Sequence, residues 1–496
     1  LENQEVINHT MALLRNMQFL LVAFPVFAGL ILLFTGKRHS RLVPGTAFFI
    51  SLLTTVIVFF LAHQNYLNTV GVVTKSSWFG SVTFGFKFDD LAAIMLLIIN
   101  FVSTAALFFA QDYFKKFEND YYFIFSNMLI FLGGMNGVIL SIDTIQFYFF
   151  YEMMLIPSYL ILAFYGESEK RSYISVKYFI FTHVGAVLLL VPFLMLYTTN
   201  SATNFDDVAA VLATMNPDLA QFVFGLLFVG FAFKMAIFPF HTWLPDTYTE
   251  APLPLTVMLA AGMINTGVYG MARFLFMFPP SVTSQFAYVM MVMAVITQFY
   301  GGLMALAATE IKKIIAYSSI SQMGYVLFGF SSVLPLGYMG SVFHALNHGL
   351  AKGLLFIVAG SVVLVTGKKL ITEVSGLGAK YHGLGVCATI GALAILGAPP
   401  LAGFTSEWMI FAGGFGTHFK GLAVLSVIAS AITTGYSLYF VKRIFYGKLD
   451  ESIAKEDIPF RMRVTMGIMA AFVLVVGVFP AFITELVKGA AAVLKM

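Results

Sequence analysis

Cysteine is nearly absent from this sequence: Cys387 is the only one in 496 residues. A lone thiol excludes an intrachain disulfide and any cysteine-based cluster or zinc site. Charge is scarce too. Asp, Glu, Lys and Arg make up 10% of the chain, against about 25% in soluble domains. No nucleotide-binding fingerprint, basic tract or long polar segment occurs, so the chain carries no cofactor motif and no nucleic-acid site. What is abundant is apolar: 59% of residues are hydrophobic and 16% aromatic. No soluble fold buries that much, so the solvent is lipid. Only helices and closed barrels satisfy their backbone there, and the apolar runs are too long for barrel strands. A spanning helix needs about 20 residues. The chain reads as an all-α polytopic membrane protein, one membrane domain over 1–496.

Fourteen apolar segments start near Met17, Leu42, Leu91, Tyr121, Thr144, Tyr173, Leu219, Pro252, Phe286, Lys313, Leu336, Leu384, Leu422 and Val464. Basic residues test the count. Eighteen fall in alternate loops, from Lys37, Arg38 and Arg41 to the six between Lys442 and Arg463, Lys455 among them. The intervening loops hold only Lys75, Lys87 and Lys420. Both ends are therefore expected outside and the Lys442–Arg463 loop inside. The first apolar run has no small-residue cleavage signal and reads as a retained helix. The chain opens on Leu1 rather than methionine, so a missing or processed N-terminus is expected.

Two segments carry helix breakers beside a charge. The seventh reads "FAFKMAIFPFHTWLPDTYTEAP", with Lys234 ahead of Pro239. The twelfth reads "AILGAPPLAGFTSEWMIF", with Pro399, Pro400 and Gly403 ahead of Glu407. A proline removes a donor and frees a carbonyl. Paired breaks in two halves of a membrane chain point to internal repeats with polar sites at the breaks. Five segments separate the two, so segments four to eight (121–277) and nine to thirteen (286–445) form natural repeats. Five is odd, so the second is inverted. Isolated proline kinks, common in membrane helices, are the plainer alternative.

Charge in mid-membrane costs roughly 2.5–3.5 kcal/mol or more and usually marks a path or site. Glu152, Lys234 and Glu407 stand out, and His344, His348 and Lys352 form an i, i+4, i+8 stripe in the eleventh segment. His241 lies just past Pro239, with Lys177, His183 and Thr266 as further lining candidates. A carboxylate beside a lysine stabilises the charged pair; separation favours the neutral amine. Histidines relay protons near neutrality. Plainer alternatives stand beside these readings. Glu152 and Lys234 form a static ion pair, the histidine stripe bonds helix to helix, and His183 is structural. Arg273 reads as snorkelling to an interface, and Lys312 and Lys313 as inside-loop anchors.

The stretches "FFYEMMLIPSYLIL", "HTWLPDTYTEAP", "EIKKIIAYSSISQMGY", "FHALNHGLAKGLLF" and "GAPPLAGFTSEWMIF" resemble the antiporter-like subunits of respiratory complex I. Those subunits are related to ones in multi-subunit cation/proton antiporters. The resemblance runs from about Tyr121 to Arg443. Glu407 and the lack of room for a long lateral helix after the last segment favour the chain M (chain 4) type. The resemblance implies fourteen membrane-spanning helices with inverted repeats, and broken seventh and twelfth helices. It also implies a Glu152–Lys234 ion pair, with Glu407 at the far end of a polar axis. His344 and His348 match the family's histidines.

Two departures stand out. "MINTGVYGMARF" places Asn265, which cannot titrate, where the family usually has a lysine or histidine. Lys352 is more typical of the largest subunit type. The expected role is proton translocation in a redox-driven complex with no cofactor in this chain. Its partners are neighbouring antiporter-like subunits in a prokaryotic cell membrane. NADH, ferredoxin or a reduced deazaflavin supplies electrons to a quinone or phenazine elsewhere in the complex. A sodium/proton antiporter subunit is the alternative; a self-contained enzyme and a passive scaffold are more distant ones.

Overall fold

The computed structural model describes residues 2–66, 73–449 and 456–492; Lys455 lies outside them. Eleven helical runs among the described residues are long and apolar enough to cross a membrane. In chain order, α1 (Glu2–Thr35) and α2 (Val43–Tyr66) lead into the central α3 (Asp90–Tyr113) and α4 (Tyr121–Leu140). Next come α5 (Thr144–Met153), α6 (Leu155–Tyr165), α7 (Arg171–Asn200) and the short α8 (Phe205–Thr214). Then follow α9 (Pro217–Lys234), α10 (Trp243–Glu250), α11 (Leu253–Met258) and α12 (Ile264–Phe274). The second half holds α13 (Pro280–Ala307), α14 (Ile311–Ser331), α15 (Pro335–Thr366), α16 (His382–Ile395) and α17 (Ala402–Phe415). The last three are α18 (Lys420–Phe445), α19 (Phe460–Val478) and α20 (Ala481–Ala492).

Several starts are written in the sequence. Asp89, Asp143, Asn204 and Asn216 each precede a helical run, and their side chains accept the first free backbone N–H groups. That is the ordinary N-cap solution to the orphan donors of a helix. Burial sorts the helices into two shells. The helices α3, α4, α12 and α15 are buried along most of their length. In contrast, α7 turns Val176, Ile180, Val184, Val187, Val191 and Leu194 outward. An exposed aliphatic stripe of this kind suits lipid, which asks for no polar face.

The inner shell is tied by amides. Asn100 and Asn136 donate to each other's carbonyl oxygens at 2.9 and 3.1 Å, and Asn136 also donates to the Leu21 carbonyl at 2.9 Å. These bonds join α3, α4 and α1. On the opposite flank, α2, α3, α15, α19 and α20 surround an apolar cavity of about 140 Å³, lined by Phe59, Leu97, Leu346, Leu350, Phe472 and Phe482 among others.

The structure amends the reading of the sequence in four places. Residues Ser76–Phe79 (β1) and Val82–Phe84 (β2) form an antiparallel hairpin, turned by Gly80 at φ 54°. Its Trp78 packs edge-on against Phe84 and Phe149. The fifth segment is interrupted at Met154 into α5 and α6, where Pro157 has no N–H for the Met153 carbonyl. The eighth contains a π turn at Leu259–Met263. Arg273 does not snorkel: its guanidinium turns inward to Asp89 at 2.8 Å and to the Tyr269 hydroxyl at 3.2 Å. A carboxylate already fixed at the cap of α3 offers it a partner inside the protein.

Candidate functional site

Both proline-marked segments are broken, and both end in the same way. At the first break the N–H of Ile237 reaches the Ala232 carbonyl at 3.0 Å, and that of Ala236 the Phe233 carbonyl at 3.2 Å. At the second, the N–H of Ala398 reaches the Leu393 carbonyl at 3.0 Å. Ala236 and Gly397 stand in the left-handed region, at φ 54° and 73°. The first is a full Schellman ending, which returns orphan carbonyls to donors just past the helix; the second shares its long bond and its left-handed residue. The chain then crosses Phe238–Pro239 or Pro399–Pro400, each a cis bond, before helix resumes in α10 or α17. The first helix therefore stops at Lys234 itself, five residues before Pro239.

Lys234 is the last residue of α9 and is 1% exposed. A helix C-terminus carries partial negative charge and favours a cation there. Its Nζ lies 4.6 Å from the centre of the Tyr151 ring. Glu152 is next in the chain, yet its carboxylate is turned away. Oε2 lies 3.0 Å from His183 Nδ1 on α7, and Oε1 has no hydrogen-bond partner. The direct Glu152–Lys234 ion pair is not made: Glu152 pairs with His183 instead. The cause is position. Glu152 sits on the α7-facing, partly buried side of α5, whereas Lys234 leaves α9 on its buried side, with the Tyr151 ring before it. Lys177 is also paired, with Asp246 of α10 at 2.7 Å. His241 lies buried in the break, its ring 4.4 Å from that of Tyr300 and its Nδ1 unpartnered.

In the second half, α15 carries the polar stripe through the interior. His344 Nδ1 lies 3.0 Å from Ser406 Oγ, and its Nε2 lies 2.8 Å from Gln322 Oε1. Gln322 in turn donates to the Tyr436 hydroxyl at 3.4 Å. Ser406 precedes Glu407, a buried carboxylate whose Oε1 has no partner. His348 is fully buried with neither ring nitrogen bonded. Lys352 donates to the Ser318 hydroxyl and, at 3.4 Å, to the Ile315 carbonyl. The stripe is thus continuous in chain position but not in bonding: His344 and Lys352 face different partners, and His348 between them has none.

Asn265 joins the halves. Its Nδ2 donates to the Ala261 carbonyl at 2.8 Å and to the Ala345 carbonyl of α15 at 3.4 Å. Ala261 lies in the π turn, and such turns cluster at functional sites. Thr266 faces the other way and donates to the Met263 carbonyl at 2.7 Å. Among the described residues no group of three or more His, Cys, Asp or Glu gathers as a metal site. The chemistry available is proton exchange among carboxylate, ammonium, imidazole and hydroxyl groups.

Sequence reasoning missed Tyr151, Ser318, Gln322, Ser406 and Tyr436. A signal for two of them was present. Ser318 and Gln322 recur at i, i+4 in α14, the spacing that picked out the α15 stripe they face.

The family model described as "NADH:quinone oxidoreductase/Mrp antiporter, TM" matches residues 141–433, more than half of the chain. The chain belongs to this family. A second model, "NADH-Ubiquinone oxidoreductase (complex I), chain 5 N-terminus", matches residues 78–123. NADH-quinone oxidoreductase subunit M of Escherichia coli K12 is 31% identical over 379 residues, which are 75% of this chain and 74% of that one. F(420)H(2) dehydrogenase subunit M of Methanosarcina mazei is 29% identical over 94% of this chain and 95% of its own. Among solved structures, a chain of respiratory complex I from Thermus thermophilus superposes with a TM-score of 0.86 at 25% identity, over 97% of this chain and 100% of that one. A chain of the Mrp complex from Dietzia superposes at 0.88 with 21% identity over 97% of each, a likeness of fold. The chain is a multi-pass membrane subunit of the antiporter-like kind.

Proposed function

We propose that this family member is the proton-translocating membrane subunit of a redox-driven enzyme of the complex I type. The observation that carries the reading is the placement of Lys234 at the end of a broken, buried helix, against Tyr151 and beside Glu152. The names of the subunit M relatives support the class of parent enzyme. The likeness of fold to the Mrp complex keeps sodium/proton antiport as the second reading.

In this proposal the eleven runs become fourteen spans. The longest run divides into α1 and α2, and α14 and the broken α16–α17 pair are added. Residues 121–277 and 286–445 are inverted repeats, supported by the matching breaks at Ala236 and Gly397. Both termini lie outside a prokaryotic cell membrane. Redox centres belong to partner subunits, and this chain holds no cofactor.

A proton enters the first half near His241 and the Lys177–Asp246 pair, or near Glu152 and His183. Lys234 takes it as an ammonium steadied by the Tyr151 ring and the helix end. Asn265 holds α12 against α15 but cannot itself accept the charge, so relay passes to His348 and Lys352. His344, bonded on both nitrogens, then leads to Ser406 and Glu407. Lys234→Ala is expected to abolish proton uptake by vesicles driven with the parent enzyme's electron donor. Lys234→Arg is expected to fail as well, because arginine keeps its proton at any usable pH. An arginine variant pumping at the parental rate would make Lys234 a fixed counter-charge and move the switch to Lys352.

A further inference from the structure

A buried ionic cluster lies where the loops after α6, α10 and α15 meet the start of α14, about one turn ahead of the Ile315 carbonyl that Lys352 holds. Lys312, the second residue of α14, is 6% exposed. Its ammonium donates to Glu167 Oε1 at 2.6 Å, to the Ala251 carbonyl at 3.1 Å and to the Thr249 carbonyl at 3.3 Å. Glu167 also accepts from the Tyr113 hydroxyl at 3.1 Å and faces Lys369 at 3.5 Å. The loop bearing Glu167 is stapled to the end of α10 twice more. Its own N–H donates to the Glu250 carbonyl at 2.9 Å, and the Ser168 N–H and hydroxyl reach the Glu250 carboxylate at 2.5 and 2.6 Å.

The two carbonyls that Lys312 holds flank the C-terminus of α10. A helix end leaves such carbonyls without intrahelical partners, and a cation there is favoured by the helix dipole. At its other end α10 is fixed to the break. The indole of Trp243, its first residue, donates to the Phe233 carbonyl at 2.9 Å, one residue from Lys234. Eight residues of helix form a rod of about 12 Å. Along it Asp246 binds Lys177, and the Tyr248 hydroxyl donates to Leu259 in the π turn at 3.1 Å.

We infer that Lys312 and Glu167 are positioning residues for Lys234: by capping α10 from α14, they set the place of the broken helix's inner arm. The inference rests on the proposed role of Lys234 and adds the element that couples the second half of the chain to it. A displacement of α14 pulls on the end of α10. The Trp243 bond then carries the shift to Phe233 and Lys234. No proton needs to pass through the cluster.

The test uses the whole assembled complex in membrane vesicles, measuring protons moved per electron with assembly checked alongside. Lys312→Met is expected to assemble and to lose severalfold in proton yield. Lys312→Arg, a cation that still reaches the carbonyls, is expected to retain most of it. The exchange of Glu167→Lys with Lys312→Glu restores an ion pair but cannot cap Thr249 and Ala251, so it is expected to stay defective. Parental yield in Lys312→Met or in the exchange overturns the inference, as does an assembled arginine variant no better than methionine. If Lys312→Met does not assemble, Glu167→Gln carries the test: a partial loss is expected, and parental yield overturns it. Lys234→Ala separates the two levels. If it too pumps normally, the proposed function fails; if it is dead while Lys312→Met is normal, only the coupling fails.

Discussion

Lys234 meets the face of Tyr151 with its Nζ 4.6 Å from the ring centre, while Glu152, one residue along, turns to His183. A cation over a desolvated aromatic ring gains about 2 kcal/mol. Tyr151→Phe keeps that face and is expected to pump at the parental rate. Tyr151→Leu removes it, so the ammonium is harder to form and the rate of proton uptake should drop markedly. Equal rates in the two variants, measured in vesicles at matched assembly, would remove the ring from the mechanism.

Gly397 is expected to be intolerant. At φ 73° a non-glycine residue costs roughly 1–2 kcal/mol, and a Cβ there would lie 2.6 Å from Glu407 Oε2. Gly397→Ala should therefore lower thermal stability by about that amount and push the Glu407 carboxylate aside, with loss of proton uptake. Its counterpart runs the other way. Ala236 already occupies the left-handed region, so Ala236→Gly should raise the melting temperature slightly without affecting uptake.

Acid should loosen the cluster at the start of α14. Burial opposes the charge on Glu167, but the ammoniums of Lys312 and Lys369 and the Lys312 and Tyr113 hydrogen bonds outweigh it. Its carboxyl therefore lies below the usual range. A carboxyl depressed on folding contributes stability that is complete above its unfolded value, about 4.3. That stability is lost as pH falls through the lower folded value. Each unit of depression is worth about 1.4 kcal/mol. Melting curves of the complex from neutral pH down to pH ~3 should show this loss. Glu167→Gln should be less stable at neutral pH and flatter with acid; an unchanged slope would remove Glu167 as a source.

The spans were legible because the bilayer sets a length that apolar runs must meet, and the breaks because proline has no N–H. The true end of the first break was not. The helix stops at Lys234, and nothing about alanine announces the left-handed residue at Ala236 that closes it. The charges were legible by their cost in lipid, but their partners were not. Whether Glu152 meets Lys234 or His183 depends on which neighbour packs against each side of α5. Lys312 and Lys313 show the limit most plainly. They are adjacent and chemically identical, yet one is buried against Glu167 and the other is about one-third exposed, because neighbours on a helix point about 100° apart.

The apolar cavity beside α15 has an electrical consequence. Leu346 and Leu350 line it, and they stand about 200° around the helix from His344 and His348. The pocket is partly open, but its apolar lining offers a charge no polar partner. It therefore backs the polar stripe with a layer of low permittivity on the flank where α19 and α20 are the remaining cover. On the proposed reading, that layer keeps charge on the stripe from passing sideways into the bilayer there. A polar residue at Leu346 or Leu350 would breach that insulation, and the vesicles would leak protons at rest.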